Sequence, residues 1–278
     1  MSYIQGIVKE NRSSLFLIYF YIFMAQMMFL TEPYVLGKAI DGLLVKDYFW
    51  LLVFLGIEIL ANAFMYKRMI FDTKIFIEIY NQIVYKYLKS DKSSNLSSRI
   101  ARTDIAHSIV NFLENDLHYY VMTSISIIGS LFFIFTQHKQ TGFIVVFCAI
   151  PMAFIANKFY KLIAKGTRIG HDHYEQRVSA MESEDESVIK TFYERRRRVL
   201  IYSSTIHGKN WFSINMTKTI FLVISLIVFT NKNIGLTQGQ AISMYSYINQ
   251  FLISLVSIPV GMEIYTRIKD VLNRIKTE

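Results

Sequence analysis

Few side chains in this 278-residue chain are equipped for chemistry, and their spacing first says what is excluded. Cys148 is the single cysteine, so an internal disulfide framework and a cysteine-based zinc cluster are both ruled out. The six histidines show no ligand spacing: His171-x-His173 is an isolated pair, and no metal site is expected. No Gly-x-x-x-x-Gly-Lys-Ser/Thr stretch occurs, so no phosphate-cradling loop is present. Lys165-Gly166-Thr167-Arg168-Ile169-Gly170 has glycines but neither the spacing nor a preceding strand. The chain is therefore expected to be no enzyme by itself and to hold no cofactor.

The polar groups that remain stand inside apolar surroundings. Glu58 is a carboxylate within a long apolar run, two turns from Trp50. It reads as a proton carrier, a common use of intramembrane carboxylates, or as a hydrogen-bonding group for Asn62 or a neighbouring helix. Ser243, Tyr247, Gln250, Ser254, Ser257 and Gly261 recur at steps of three and four, which is one helix face, widened by Ser246 and Asn249. Such a face turns to protein or to water. It either lines a translocation path or packs through small residues and interhelical hydrogen bonds. Gln26, the only amide in its run, is a further path candidate. Thr123, Ser126 and Ser130 form a weaker face, read as packing. Asp116 and His118 read as a solvated pair at a membrane boundary. The run Arg195-Arg196-Arg197-Arg198 reads as a solvated or headgroup-facing helix surface.

The elements that must position these residues follow from composition. The chain is 53% hydrophobic and only 18% charged, where a soluble domain carries about 25% charged residues. Three prolines and twelve glycines are too few for a turn-rich β protein. Apolar runs at 15–30, 48–66, 119–136, 142–157, 214–230 and 241–261 approach the ~20 residues that span a bilayer as helix. They lack the alternation of a membrane β-barrel. With the N-terminus placed in the cytoplasm, 26 of the 30 basic residues fall on the cytoplasmic side. Only Lys38, Lys46, Lys139 and Lys232 lie outside, a strong positive-inside bias. That distribution accounts for the net charge of +9 without nucleic acid. The partner it implies is a lipid bilayer. The expected location is an integral, multi-pass one in a bacterial inner membrane, with both termini cytoplasmic.

The two cytoplasmic connections, 67–118 and 158–213, are long, yet no glycine or proline interrupts the chain between Gly56 and Gly129. Apolar residues keep helical spacing past the second run, so one helix should continue to about Ser90. The polar stretch beginning at Asp91 marks a turn, and a helix returns into the third run. The second connection repeats the plan, with a turn at residues 181–185. Pro151 and Pro259 are expected to kink the fourth and sixth spans. The expected fold is thus an all-α membrane protein of six long spans with two cytoplasmic helical hairpins.

This plan resembles the transmembrane domain of ATP-binding-cassette exporters, of the six-span half-transporter type. Pro33-x-x-x-Gly37-x-x-x-Asp41 is similar to that family's outer end of the first span. Leu96-x-Ser98-Arg99 followed by Asp104 is similar to its stretch after the first coupling helix, with one extra residue before the aspartate. Glu186 to Glu194 loosely resembles its second connection. Gly235-Leu236-Thr237-Gln238-Gly239 resembles the start of its sixth span, one position shorter. The resemblance implies a homodimer or pseudo-homodimer, with spans four and five crossing to the partner around a central cavity. In that family the sixth span leads into a nucleotide-binding domain. These residues hold none, which implies a separately encoded ATPase subunit. Its docking candidates are the hairpin tips, Asp91, Lys92, Ser93, Ser94 and Asn95 in one and Glu184 and Asp185 in the other. Three other readings stay open. One is a proton-coupled transporter of the same fold without an ATPase, supported by Glu58. One is a membrane immunity, scaffold or regulatory protein. The last is a chain cut before its ATPase domain.

The charge bias makes a topological prediction. In a variant lacking Cys148, single cysteines at positions 139 and 232 should react with an impermeant thiol reagent added outside intact cells. One at position 92 should react only after permeabilisation. External labelling at 92 would refute the orientation.

Overall fold

The computed structural model describes residues 9–90, 106–183, 185–232 and 235–277, with Gly6 and Thr103. Within these, side chains are described outside 86–90, 167–168, 170–176, 178–179, 232 and 258–277. Among the described residues the chain is helical and contains no strand. The helices are α1 (Arg12–Leu44), α2 (Phe49–Ser90), α3 (Leu117–Gln137), α4 (Lys139–Phe147), α5 (Ala149–Glu182), α6 (Glu186–Lys232) and α7 (Gln238–Thr277). A π-helical turn, Phe112–Asp116, precedes α3. Five stretches are long and apolar enough to cross a membrane: Arg12–Leu44, Phe49–Tyr85, Ala106–Gln137, Lys139–Gly166 and Glu186–Asn231.

Several helices outrun a bilayer. The helix expected to continue to about Ser90 does so: α2 has 42 residues, or ~63 Å at ~1.5 Å per residue, about twice the ~30 Å hydrocarbon core. The 47 residues of α6 reach ~70 Å by the same rise. Helix ends do not coincide with the ends of apolar runs. The first run stops near Leu30, but α1 continues through Pro33 to Leu44. Its end turns back where the Asp47 amide bonds the Gly42 carbonyl at 2.9 Å and Lys46 takes a left-handed conformation at φ 61°. The Asp47 carboxylate then accepts the Phe49 amide at 3.0 Å, capping α2. The loop expected after the third run shrinks to His138. Its amide closes α3 on Ile134 at 2.8 Å, and its Nδ1 lies 2.8 Å from the Thr141 hydroxyl in the next helix. Pro151 explains the break between α4 and α5 at Cys148: it has no N–H for the carbonyl four residues back.

The chain divides into two compact units, Met1–Gly142 with Val228–Glu278, and Phe143–Ile227. In the first unit α1 packs on α2, α3 and α7, and α3 on α7. One core cluster joins Leu15, Ile18 and Ile22 of α1 to Phe76, Ile79 and Ile83 of α2. Both triplets follow helical spacing. Ala106, Ile109, Val110 and Leu113 close the cluster from the segment before α3. In the second unit only residues 183–185 separate α5 from α6. A Cβ at Gly166 in α5 would lie 3.9 Å from the ring of Tyr202 in α6.

Helix α6 starts with a local cap. The Asp185 carboxylate accepts the Ser187 amide at 2.8 Å and the Ser187 hydroxyl at 2.7 Å. Those bonds, the hydroxyl's first, hold the Asp185 carboxyl below its ordinary value. A lowered folded value means that the cap acts in full above the unfolded pKa and is lost as pH falls through the folded one. Amide exchange at residues 187–189, corrected for intrinsic rates, should therefore accelerate as pH falls below about 4. In Asp185→Asn, which caps without titrating, that dependence should vanish; its persistence would sink the assignment.

Candidate functional site: a polar seam through the helical bundle

The end of the first unit at which α1 finishes and α7 begins, called the outer end for the orientation expected from the charge bias, is held by residues from opposite ends of the sequence. The Asp41 carboxylate on α1 accepts the Thr237 hydroxyl at 2.7 Å and the Gly239 amide at 2.8 Å. Gly239 stands in the first turn of α7, where backbone N–H groups have no intrahelical partner. Thr237 and Gln240 complete the cap: each backbone amide donates to the other's side-chain oxygen, both at 3.2 Å. This is a reciprocal capping box. Gly235 precedes it at φ +83°, a conformation that favours glycine.

One turn inward, Gly37 of α1 meets Gly239 of α7. A Cβ on Gly239 would collide with the Gly37 carbonyl, and one on Gly37 with the Ser243 hydroxyl. Further in, the Ser243 hydroxyl donates to the Pro33 carbonyl at 2.7 Å, and the Tyr247 hydroxyl to the Leu30 carbonyl at 3.1 Å. Numbers rise along α1 as they fall along α7, so the helices run antiparallel. The ring of Tyr247 stacks on Phe133 of α3 at 4.7 Å. Ser243 and Tyr247 are thus buried and bonded to α1 within this chain.

Deeper in the bundle lies a second polar level. The Gln26 amide donates to the Ser126 hydroxyl at 2.8 Å, joining α1 to α3. Gln26 is 4% exposed, and its Oε1 is buried without a partner. The α1–α7 register that pairs Pro33 with Ser243 places Gln250 level with Gln26. The Gln250 Oε1 is likewise buried and unpartnered. Ser254 and Ser257 bond back to the carbonyls of Gln250 and Ile253. Asn249 is half-buried beside them.

Glu58 is half-buried on α2. Asn62 donates to its backbone carbonyl at 2.8 Å, not to its carboxylate. Glu32 on α1 lies within its electrostatic reach. The sequence reading overlooked Glu32 because it lies just past the end of the first apolar run, while the helix carrying it continues. At the tips, Asp91, Lys92, Ser93, Ser94, Asn95 and Glu184 lie outside the described residues, and Asp185 is the α6 cap.

The inner end holds a constellation that the sequence reading missed. Asp116 and His118 are not a solvated pair. Asp116 is buried at 9% exposure, and the Nε2 of His118 lies 3.0 Å from Arg68 Nη1 on α2. Arg68 also pairs with Asp72, one turn on, at 2.6 Å, both side chains being largely buried. The π-helical turn sits against this group. The Leu117 amide reaches back to the Phe112 carbonyl, and the Tyr19 hydroxyl donates to the Leu113 carbonyl at 3.0 Å. Inserted turns of this kind recur at functional sites. The i, i+4 spacing of Arg68 and Asp72 was the available signal; that His118 would face them is a matter of packing.

The glycine contact separates two effects of substitution. Gly37→Val should lower stability by about 1–3 kcal/mol through overpacking. Gly56→Ala meets nothing within 4 Å and should raise it by about 0.5–1 kcal/mol. Melting temperatures in one detergent check both; equal effects would contradict the close approach of α1 and α7.

None of the curated proteins matches the chain. The family described as ABC transporter transmembrane region matches residues 4–239. That stretch contains Asp41, Gly37, Arg68, Asp72, His118 and the capping segment up to Gly239, and the chain belongs to the ABC transporter transmembrane region family.

Proposed function

We propose that the chain is the membrane-spanning subunit of an ABC-exporter-like transporter, working as a dimer and powered by an ATPase on a separate chain. The observation that carries this reading is the family match over residues 4–239. Helix length supports it: α2 and α6, at 42 and 47 residues, have long portions left over outside a bilayer. On this reading α7 supplies the sixth span, both termini are cytoplasmic in a bacterial inner membrane, and the stretches 67–118 and 158–213 form hairpins. The approach of Gly166 to Tyr202 supports the second hairpin, each residue standing eighteen positions from Glu184. The hairpin tips would meet the ATPase. Ser243, Tyr247, Gln250, Ser254, Ser257, Asn249 and Gln26 would border the path, the first two by fixing α7 in place.

A second reading is proton-driven transport by the same fold without an ATPase. The observation that favours it is Glu58, a half-buried carboxylate in the membrane-spanning part of α2. Intramembrane carboxylates of this kind commonly serve proton relays.

Purification from the native membrane and dilution into vesicles distinguishes the two. A nucleotide-binding chain should co-purify and be lost when Asp91 to Asn95 are replaced by glycine and serine. Vesicles holding this chain alone should keep an imposed proton gradient as long as empty ones. Collapse of the gradient that Glu58→Gln prevents would overturn the first reading in favour of the second.

A further inference from the structure

The outer end of the first unit encloses a cavity of about 430 Å³ beside the Asp41 cap. Its walls include Tyr34 and Lys38 of α1, Gln137 at the end of α3, Phe229 of α6, and Leu236 and Gln240 at the start of α7. The volume falls in the range of small-molecule sites and exceeds what a bare ion needs.

The two charged groups that border this cavity are unequally satisfied. It is bordered by one carboxylate and one ammonium, Asp41 and Lys38. Both oxygens of Asp41 are committed, one to the Thr237 hydroxyl and one to the Gly239 amide. Lys38 is half-buried and forms no ion pair among the described residues. Its Nζ lies 5.8 Å from the centre of the Tyr34 ring. A bound anion would give this ammonium a counter-ion inside the cavity. The Gln240 Oε1 is taken by the Thr237 amide, which leaves its NH₂ group to donate. Tyr34 adds a hydroxyl. Three donors, on Lys38, Gln240 and Tyr34, thus border the cavity, and Phe229 and Leu236 supply apolar wall.

We propose that this cavity is a binding site for a phosphate-class anion, gripped by the Lys38 ammonium with Gln240 and Tyr34 as neutral donors. The anion comes from a lipid headgroup, whose chains would lie along the apolar wall, or from a free phosphate compound. Its occupancy is measurable without ATP, partner or gradient.

The test uses the full chain in a neutral detergent, titrated with dihexanoyl phosphatidic acid, dihexanoyl phosphatidylcholine and inorganic phosphate, with binding read by calorimetry. Phosphatidic acid or inorganic phosphate should bind saturably, and Lys38→Gln should weaken that binding by about ten-fold or more. Lys38→Arg, which keeps the charge, should stay within about three-fold. Lys46→Gln removes a cation from the neighbouring turn, outside the cavity lining, and should leave binding unchanged. Binding of phosphatidic acid alone would assign the site to a lipid headgroup. Equal, Lys38-dependent binding of inorganic phosphate would assign it to a free anion. No saturable binding of either probe would overturn the proposal, as would equal loss in Lys46→Gln, or binding indifferent to Lys38→Gln in a variant that melts like the parent.

Discussion

The Asp41 carboxylate, set at the amino end of α7, is the interaction on which the outer end of this molecule depends. A helix that begins at the end of a bundle leaves N–H groups without partners and a positive dipole end. Asp41 answers both from another helix almost two hundred residues earlier in the chain, with two charge-assisted bonds. Hydrogen bonds to a charged group contribute about 1.5–3 kcal/mol each. The cap also sets a register. With Asp41 on Gly239, the next inward contacts fall on Gly37, Pro33 and Leu30, each a position where a backbone can be approached closely. Two glycines allow the approach, and a serine and a tyrosine hydroxyl then find carbonyls on the facing helix.

The same rule, that polar atoms in an apolar bundle must be matched, orders the levels below. Between helices in lipid the apolar effect offers little preference for one pairing over another, so small residues and hydrogen bonds select it. Tyr247 illustrates this, with its ring stacked on Phe133 and its hydroxyl on α1, so that one side chain ties three helices. Gln26 and Ser126 repeat the arrangement one level deeper, but there two amide oxygens remain unmatched. At the inner end the matching is ionic. Arg68 bridges Asp72 and His118 beside a π-helical turn.

Membership of the ABC transporter transmembrane region family gives these features a common setting. The clasp of α1 on α7 would make those two helices move together, because sliding either one breaks the cap and drives Gly37 against Gly239. The proposed anion site lies directly on that clasp, so its occupancy would bear on the same outer contact.

The sequence by itself determined the helical membrane class, the length of α2 and the turn before α6. Hydrophobic runs, helical spacing and the absence of glycine and proline are local properties that survive without a partner. It also marked Pro33, Gly37, Asp41 and the stretch from Gly235 to Gly239 as two separate motifs. What it could not reveal is that these two motifs are one site, because antiparallel pairing of the first and last helices is a long-range contact without a local signature. Helix ends were misplaced for a related reason. An apolar run reports where lipid is, whereas a helix stops where its backbone finds caps, and those caps came from Asp47 and His138 side chains. Only the tertiary structure decided that His118 and Asp116 are withdrawn beside Arg68 rather than solvated, and that Glu58 has Glu32 for a neighbour. Burial of a polar residue depends on which helix covers it, and the choice of covering helix is made by the packing of all of them together.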